Sequence, residues 1–351
     1  MTNKNSTYRR LGDYIREISV RNKDLSVSKL MGINIDKYFM PSVANVIGTD
    51  MSNYKVVANG QFACNLMHVG RDEKIPVALN TEDPIIVSPA YFVFEVCDNT
   101  LLPEYLELSL RNPEFDRNAW FHTDGDVRGG MDKEGMKDLL IPVPSLEEQR
   151  SIVSRYKAIE TRISNNKQTI AKLEEAAQAL YRKMFVDDVD VENLPDGWRM
   201  GCLGEVAEIK NGKNITFDEN GYISVYGGNG IVGKVKIHNA ENVIVIGRVG
   251  VNCGSLHLHI GTCWVNDNAM MAKSKFVYYL YFLMQQFKLN EQSEGSSQPL
   301  LTQGILNSQN CFIPTEDKME DFNLKAEIIF DSIKGKQKEN EKLTEMLSMM
   351  A

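Results

Sequence analysis

Two long segments of this chain place a seam residue at alternating three- and four-residue steps, and each follows an Ile-Pro dipeptide, Ile141-Pro142 and Ile313-Pro314. The first runs through Gln149, Ile152, Tyr156, Ile159, Ile163, Asn166, Ile170, Leu173, Ala177, Leu180 and Met184. The second runs through Met319, Phe322, Ala326, Ile329, Ile333, Lys336, Asn340, Leu343, Leu347 and Met350. This alternation is the heptad seam of a coiled coil. A single pattern of this kind reads as an ordinary amphipathic helix packed on its own domain. Here, however, each seam is interrupted by polar residues near its middle, Asn166 in one and Lys336 and Asn340 in the other. Antiparallel pairing brings these together in a polar layer that fixes register at some cost in stability. A helix of roughly 38 residues spans about 55 Å, so such a pair predicts a rod holding two globular halves at its opposite ends.

The halves are themselves a repeat. "LGDYIREI" at residues 11–18 is restated as "LGEVAEI" at residues 203–209. Each half then offers one apolar, aromatic helical stretch, "LLPEYLELSLRNPEF" and "FVYYLYFLMQQFKL", followed by a Gly-rich polar loop and the Ile-Pro dipeptide. Stretches such as "DPIIVSPAYFVFEV" and "ENVIVIGRVG" carry β-branched and aromatic residues between turn formers, so both halves read as β-rich with one helix each.

Composition narrows the function classes. Six cysteines without a C-x-x-C pair fit reduced thiols in a cytoplasmic protein. The N-terminus lacks the apolar run of a signal peptide, and the longest apolar run, residues 276–284, is about half the ~20 residues of a spanning helix, so no membrane segment is expected. A formal charge of −8 argues against gripping nucleic acid by bulk electrostatics. A local basic excess occurs only at the start, where Lys4, Arg9, Arg10, Arg16, Arg21, Lys23 and Lys29 face Asp13, Glu17 and Asp24. If DNA is the partner, much of the phosphate grip falls to another subunit.

Three constellations imitate active sites. Asp196 after a proline, followed by Glu208 and Lys210, matches a loose metal-dependent nuclease pattern, but the aspartate lies in a turn and the first half has no counterpart. Cys253, His257, His259 and Cys263 have zinc-ligand chemistry, yet the flanking cysteines need turns to converge, and buried cysteines beside groove or surface histidines are the simpler reading. "GRVGVNCG" lacks both the dinucleotide-binding and the P-loop spacing. No metal site or catalytic residue is expected, and no adenine-methyltransferase tetrapeptide of the N-P-P-[YF] type occurs.

At "IPVPSLEEQRSIVSRY" the sequence resembles the DNA specificity (S) subunits of type I restriction-modification systems, whose central helix opens with an Ile-Pro-x-Pro, Leu-Glu-Glu-Gln run. "LPDGWRMGCLGEVAEIKNGK", "YGGNGIVGKV", "VIVIGRVGVNCG" and "EGSSQPLLT" are similar to pieces of that family's second target recognition domain. The second helix departs from the pattern, opening "IPTEDKMEDFNLKAEI". The resemblance implies an α+β chain of two β-rich target recognition domains separated by two long helices forming an antiparallel coiled coil. The expected boundaries are 1–144 and 191–313 for the recognition domains, 145–190 for the central helix and 314–351 for the C-terminal helix.

The resemblance further implies a non-catalytic subunit that reads a bipartite site in double-stranded DNA, one domain per half. Two methyltransferase subunits, and restriction subunits as further partners, would supply the chemistry with S-adenosylmethionine and with ATP and Mg; no cofactor is expected in this chain. Base reading needs amides, guanidinium groups and hydroxyls in the major groove. On polar or Gly-rich loops the residues that fit are Asn65, His68, Arg71, His122, Asp124 and Arg128 in the first domain. In the second they are Lys213, Tyr226, Asn229, Arg248, Asn252, Ser297 and Gln298. The competing class is a coiled-coil adaptor joining two protein-binding domains, which the acidic charge favours and DNA footprinting would separate.

Overall fold

The computed structural model describes residues 7–43, 48–67, 69–123, 130–187, 189–292 and 300–350. His68, Asp124, Arg128, Ser297 and Gln298 lie outside the described residues. The chain forms two compact units, Met1–Ser164 with Asn340–Ala351, and Asn165–Glu339. Two long helices, Leu146–Phe185 and Glu316–Met350, each contribute one stretch to each unit.

In the first unit a four-stranded antiparallel sheet orders Ile15–Glu17, Phe92–Val96, Gln61–Cys64 and Val77–Leu79. One face packs Phe62, Phe92 and Phe94 against Leu106, Leu110, Phe115 and Met136. The stretch read as one helix is two, Pro103–Arg111 and Pro113–Phe121. Proline at 113 keeps Asn112 out of the helical region, and the Asn112 side chain accepts from Glu114 N to start the second helix. Short helices at Val69–Asp72 and Lys133–Asp138 are also present, so this half carries more than the single helix expected.

Beneath these helices lies a buried ion pair. Lys37 Nζ meets Asp116 Oδ1 at 2.7 Å, and Asp116 also accepts from Ile75 N at 3.0 Å. Burial lowers the Lys37 pKa, against the pull of Asp116, and the extra hydrogen bonds are what keep both charges tolerable indoors.

The second unit centres on a six-stranded sheet ordered Glu208–Asn211, Ala269–Lys273, Ala240–Gly247, Leu256–Val265, Ile223–Gly227, Gly230–Val235. All neighbours are antiparallel except Ile223–Gly227 beside Leu256–Val265, which run parallel. Its core joins the helix Val277–Gln285 to both long helices through an aromatic cluster: Tyr181, Phe185, Tyr279, Phe282 and Phe322 have ring centroids 5.0–6.0 Å apart.

The sequence repeat is a structural one. Thr7–Arg10 pairs antiparallel with Leu140–Val143, and Arg199–Cys202 with Asn310–Ile313, so each Ile-Pro strand closes on the strand that opens its half. A one-turn 3-10 helix follows each opening strand, beginning at the fully buried Leu11 or Leu203. Leu11 N donates to Leu139 O, and Leu203 N to Gln309 O, both at 2.8 Å. Gly12 and Gly204 sit so close to the short helices before the Ile-Pro strands that an added Cβ would stand 2.9 Å from Lys137 Cβ and 3.1 Å from Asn307 Oδ1.

The helix stretches run antiparallel within each unit. In the second, Asn166 meets Lys336 and Glu339, whereas Tyr181 and Phe185 meet Phe322. In the first, Ile152 and Met350 line one cleft with Tyr8, Tyr105 and Pro142. Asn166 is 1% exposed although polar, because Lys336 Nζ donates to its Oδ1 and its Nδ2 donates to Glu339. Glu339, absent from the heptad reading, therefore shares the polar layer. Among the expected seam positions Ile333 is buried, Ile159, Ile163, Ile170, Leu173, Ile329, Lys336, Asn340 and Leu343 are half-buried.

Gln149 has another role. It is fully buried, its Oε1 accepts from Leu102 N at 2.9 Å, and its Nε2 donates to Thr100 O and Pro144 O at 2.8 Å. Leu102 immediately precedes the helix Pro103–Arg111. Asn323 repeats the device in the second unit, accepting from Tyr278 N in the first turn of Val277–Gln285. Each long helix is thus bolted to the helix of a globular fold by one side-chain amide.

Candidate nucleic-acid interface

In the first unit the described candidate readers already have partners within the fold. Asn65 Oδ1 accepts from Met67 N at 3.1 Å and shapes a turn. Arg71 is clamped by Asp72 through two hydrogen bonds, 2.7 and 2.8 Å, which hold its guanidinium still more firmly protonated. His122 Nδ1 donates to Asn118 O at 2.7 Å, closing the helix that ends at the exposed Phe121.

Most of the described basic excess at the start is likewise spent on carboxylates and carbonyls. Arg10 pairs with Asp138, Arg16 with Glu95, Lys29 with Glu82 at 3.1 Å, and Arg21 donates to Asn53 O. It forms no free phosphate stripe among the described residues.

The second unit gathers its candidates. Tyr226 and Gly227 end one strand, Gly228 and Asn229 make a two-residue turn, and Gly230 begins the next. Beside this tip lies the connection between Ala240–Gly247 and Leu256–Val265, which carries Arg248 and Asn252. Ser255 Oγ donates to Gly228 O, and an added Cβ on Gly228 would stand 3.6 Å from Gly247 Cα, so the two tips touch backbone to backbone. Four expected readers, Tyr226, Asn229, Arg248 and Asn252, therefore share one loop cluster. Lys213 lies outside it, at the edge strand's exit, where its carbonyl accepts from Trp264 Nε1 at 2.7 Å.

Local electrostatics follow from burial. His259 Nε2 lies 3.1 Å from Thr262 O, so that nitrogen carries the proton, and Nδ1 accepts from the Tyr226 hydroxyl at 3.1 Å. Desolvation lowers the His259 pKa and raises that of Tyr226, keeping both neutral. The Tyr226 hydroxyl is thus engaged by His259, and its side chain packs partly against the buried residues of the sheet. His257, read from sequence as a groove or surface histidine rather than a zinc ligand, stands on the same face as His259, its ring centroid 6.3 Å from that of Tyr226. Its Nε2 and Arg248 Nε are buried with no partner among the described residues. The alternation L-H-L-H was the available signal for His257.

Cys253 and Cys263 are buried, and Cys253 Sγ donates to Arg248 O at 3.2 Å. No three His, Cys, Asp or Glu side chains are placed to hold a metal ion among the described residues. Glu208 and Lys210 form an exposed ion pair on one strand. No described helix is long and apolar enough to cross a membrane.

Comparison with known proteins gives this geometry a context. The family described as Type I restriction modification DNA specificity domain matches residues 69–175 and 195–344. The type I restriction enzyme HindI specificity subunit of Haemophilus influenzae is 27% identical over 208 residues, 57% of this chain and 45% of that protein. The MjaIX specificity subunit of Methanocaldococcus jannaschii is 22% identical over 264 residues, 61% of this chain and 60% of that protein. The chain thus matches about half the length of these curated relatives. In fold it is similar to the crystal structure of a type I restriction-modification S subunit from M. genitalium, with a TM-score of 0.65 at 17% identity, covering 100% of this chain and 96% of that one. A chain from a type I restriction-modification system solved for its complex assembly and conformational transition gives a TM-score of 0.53 at 18% identity, covering 99% and 97%.

Proposed function

The chain belongs to the family of type I restriction-modification DNA specificity domains, and from that premise we propose that it is a non-catalytic, cytoplasmic subunit reading a bipartite site in double-stranded DNA. Residues 1–144 and 191–313 act as the two target recognition domains, one per half-site. Residues 145–190 and 314–351 act as the paired helices that set the gap.

The carrying observation is the duplication. Each half closes an Ile-Pro strand on its opening strand and then bolts a long antiparallel helix to its own domain helix through Gln149 or Asn323. Two readers fixed to a stiff pair of helices measure distance as well as sequence, and half-sites one turn of DNA apart lie about 34 Å centre to centre.

The partners are two methyltransferase subunits, which supply S-adenosylmethionine chemistry and part of the phosphate grip that a chain of net charge −8 lacks. Restriction subunits with ATP and Mg are further partners. Base reading falls to the loop residues, in the second domain to the Tyr226, Asn229, Arg248 and Asn252 cluster together with Lys213, Ser297 and Gln298. In the first it falls to Asn65, His68, Arg71, His122, Asp124 and Arg128.

Selection from random duplexes with the purified chain and its methyltransferase partner tests this reading. Two short conserved blocks separated by a constant gap are expected. A single block, or no preference, would refute it.

A further inference from the structure

The most exposed large apolar side chain among the described residues is Val251, at 99% of its full accessibility. A single exposed valine ordinarily needs no explanation. This one stands at the tip of the connection between Ala240–Gly247 and Leu256–Val265, and that connection is closely tied down.

Its base is closed by Gly254 N to Gly247 O at 2.8 Å and Gly247 N to Ser255 O at 2.9 Å. Its flank is held by Arg248 N to Asn268 O and Leu301 N to Arg248 O, both 3.0 Å, and by the Val249 to Leu300 bridge. Within the tip, Cys253 N donates to Gly250 O at 3.0 Å and Ser255 N to Asn252 O at 3.1 Å. Two glycines make the closure possible. A Cβ on Gly247 would stand 2.2 Å from Asn252 O, and one on Gly254, itself at φ +86°, would stand 2.6 Å from Asn290 N. Gly250, at φ +73°, turns the chain so that the next residue points away from the fold.

The tip is therefore a post held by its own backbone hydrogen bonds that displays Val251 at its end, with Arg248 and Asn252 on the same loop and Asn229 on the adjoining turn. Such pre-ordering lowers the cost of binding, since little freedom is left to lose. In the major groove every base edge offers donors or acceptors, and the one apolar group exposed there is the C5 methyl of thymine.

We infer that Val251 is a specificity-determining residue of the second recognition domain, packing against the C5 methyl of a thymine in its half-site. The inference rests on the DNA-reading function proposed above and goes beyond it by naming the base and the chemical group read.

Once selection has given the second half-site, each thymine in it is replaced by uracil, which removes only that methyl. Binding is then measured for the full chain with its methyltransferase partner. One position is expected to lose about fourfold in affinity, the worth of a buried methyl group. In Val251→Ala, whose fold is checked by circular dichroism, that penalty shrinks toward none while the half-site as a whole is still preferred. Site-specific binding with thymine and uracil equivalent at every position, or a uracil penalty unchanged in Val251→Ala, overturns the Val251 role and leaves DNA reading standing. A second half-site without thymine does the same. Absence of any sequence preference removes the DNA-reading proposal itself, and this inference with it.

Discussion

Lys336 Nζ lies 3.3 Å from Asn166 Oδ1 and donates a hydrogen bond to it across the paired helices, while the same amide donates to Glu339 at 3.0 Å. Three polar side chains on facing stretches thus satisfy one another beside a largely apolar seam. A polar layer costs stability and gains specificity, because only one register lets the groups meet.

Asn166→Ala should lower unfolding stability by about 1–2 kcal/mol, the ordinary worth of a lost buried hydrogen bond or two. Asn166→Leu should be neutral or stabilising but should loosen register. Spin labels at the exposed positions Lys172 and Lys325 would report this as a broadened distance distribution in Asn166→Leu. A distribution as narrow as the parent's would deny the layer its register role.

Gln149 yields a local prediction. Its carboxamide, itself fully buried, is the acceptor for Leu102 N and the donor to two carbonyls. Gln149→Ala leaves these groups unpaired and should cost about 2 kcal/mol or more. Hydrogen exchange should accelerate at the Leu102 amide before it does in the sheet strand Phe92–Val96. Uniform acceleration across the unit would instead mean that the amide acts only through global stability.

These residues mark what the sequence made legible. The seams were readable because a 3.5-residue period persists over many turns, and Asn166 opposite Lys336 follows from symmetry about their centres. Gln149 looked like the same kind of polar seam position, yet its partners lie 47 and 49 residues upstream, which periodicity does not encode. The break at Asn112-Pro113 was locally written and outweighed by the apolar pattern around it. The reader cluster was visible only as scattered polar residues near glycines. Its assembly depends on long-range contacts, Val225 pairing parallel with Trp264 and Tyr226 meeting His257 and His259, that no local pattern encodes. Arg71 and Tyr226 have their polar atoms engaged by Asp72 and His259, partners no spacing rule announces.

Burial of weak acids predicts alkaline sensitivity. Desolvation raises the Cys311 thiol from 9.0 to about 11, the Cys263 thiol from 9.0 to about 12 and the Tyr278 hydroxyl from 10.0 to about 12. Each folded pKa lies above its unfolded value, so the stability these groups contribute is complete below pH 9 and is lost as pH rises through 11 and 12. Urea unfolding midpoints should fall over that window. Cys263→Ala should flatten the slope by up to one proton, whatever it does to stability at pH 7. A parent and variant with parallel profiles would show that Cys263 does not titrate between the two states.

The gap itself can be altered by design. Helices rise about 1.5 Å per residue, so removing one heptad from each long helix on the same side of the Asn166 layer shortens the pair by about 10 Å while keeping both seams in phase. Residues 167–173 and 329–335 are a matched choice, because numbering runs in opposite directions away from Asn166 and Lys336. Base pairs rise about 3.4 Å, so a doubly shortened chain should select the same two half-sites with a gap about three base pairs smaller. Shortening only one helix puts the polar layer out of register and should weaken binding to any gap. If the doubly shortened chain binds as tightly and selects the parental gap, the paired helices do not set the spacing, and the two recognition domains must be positioned by their partner subunits instead.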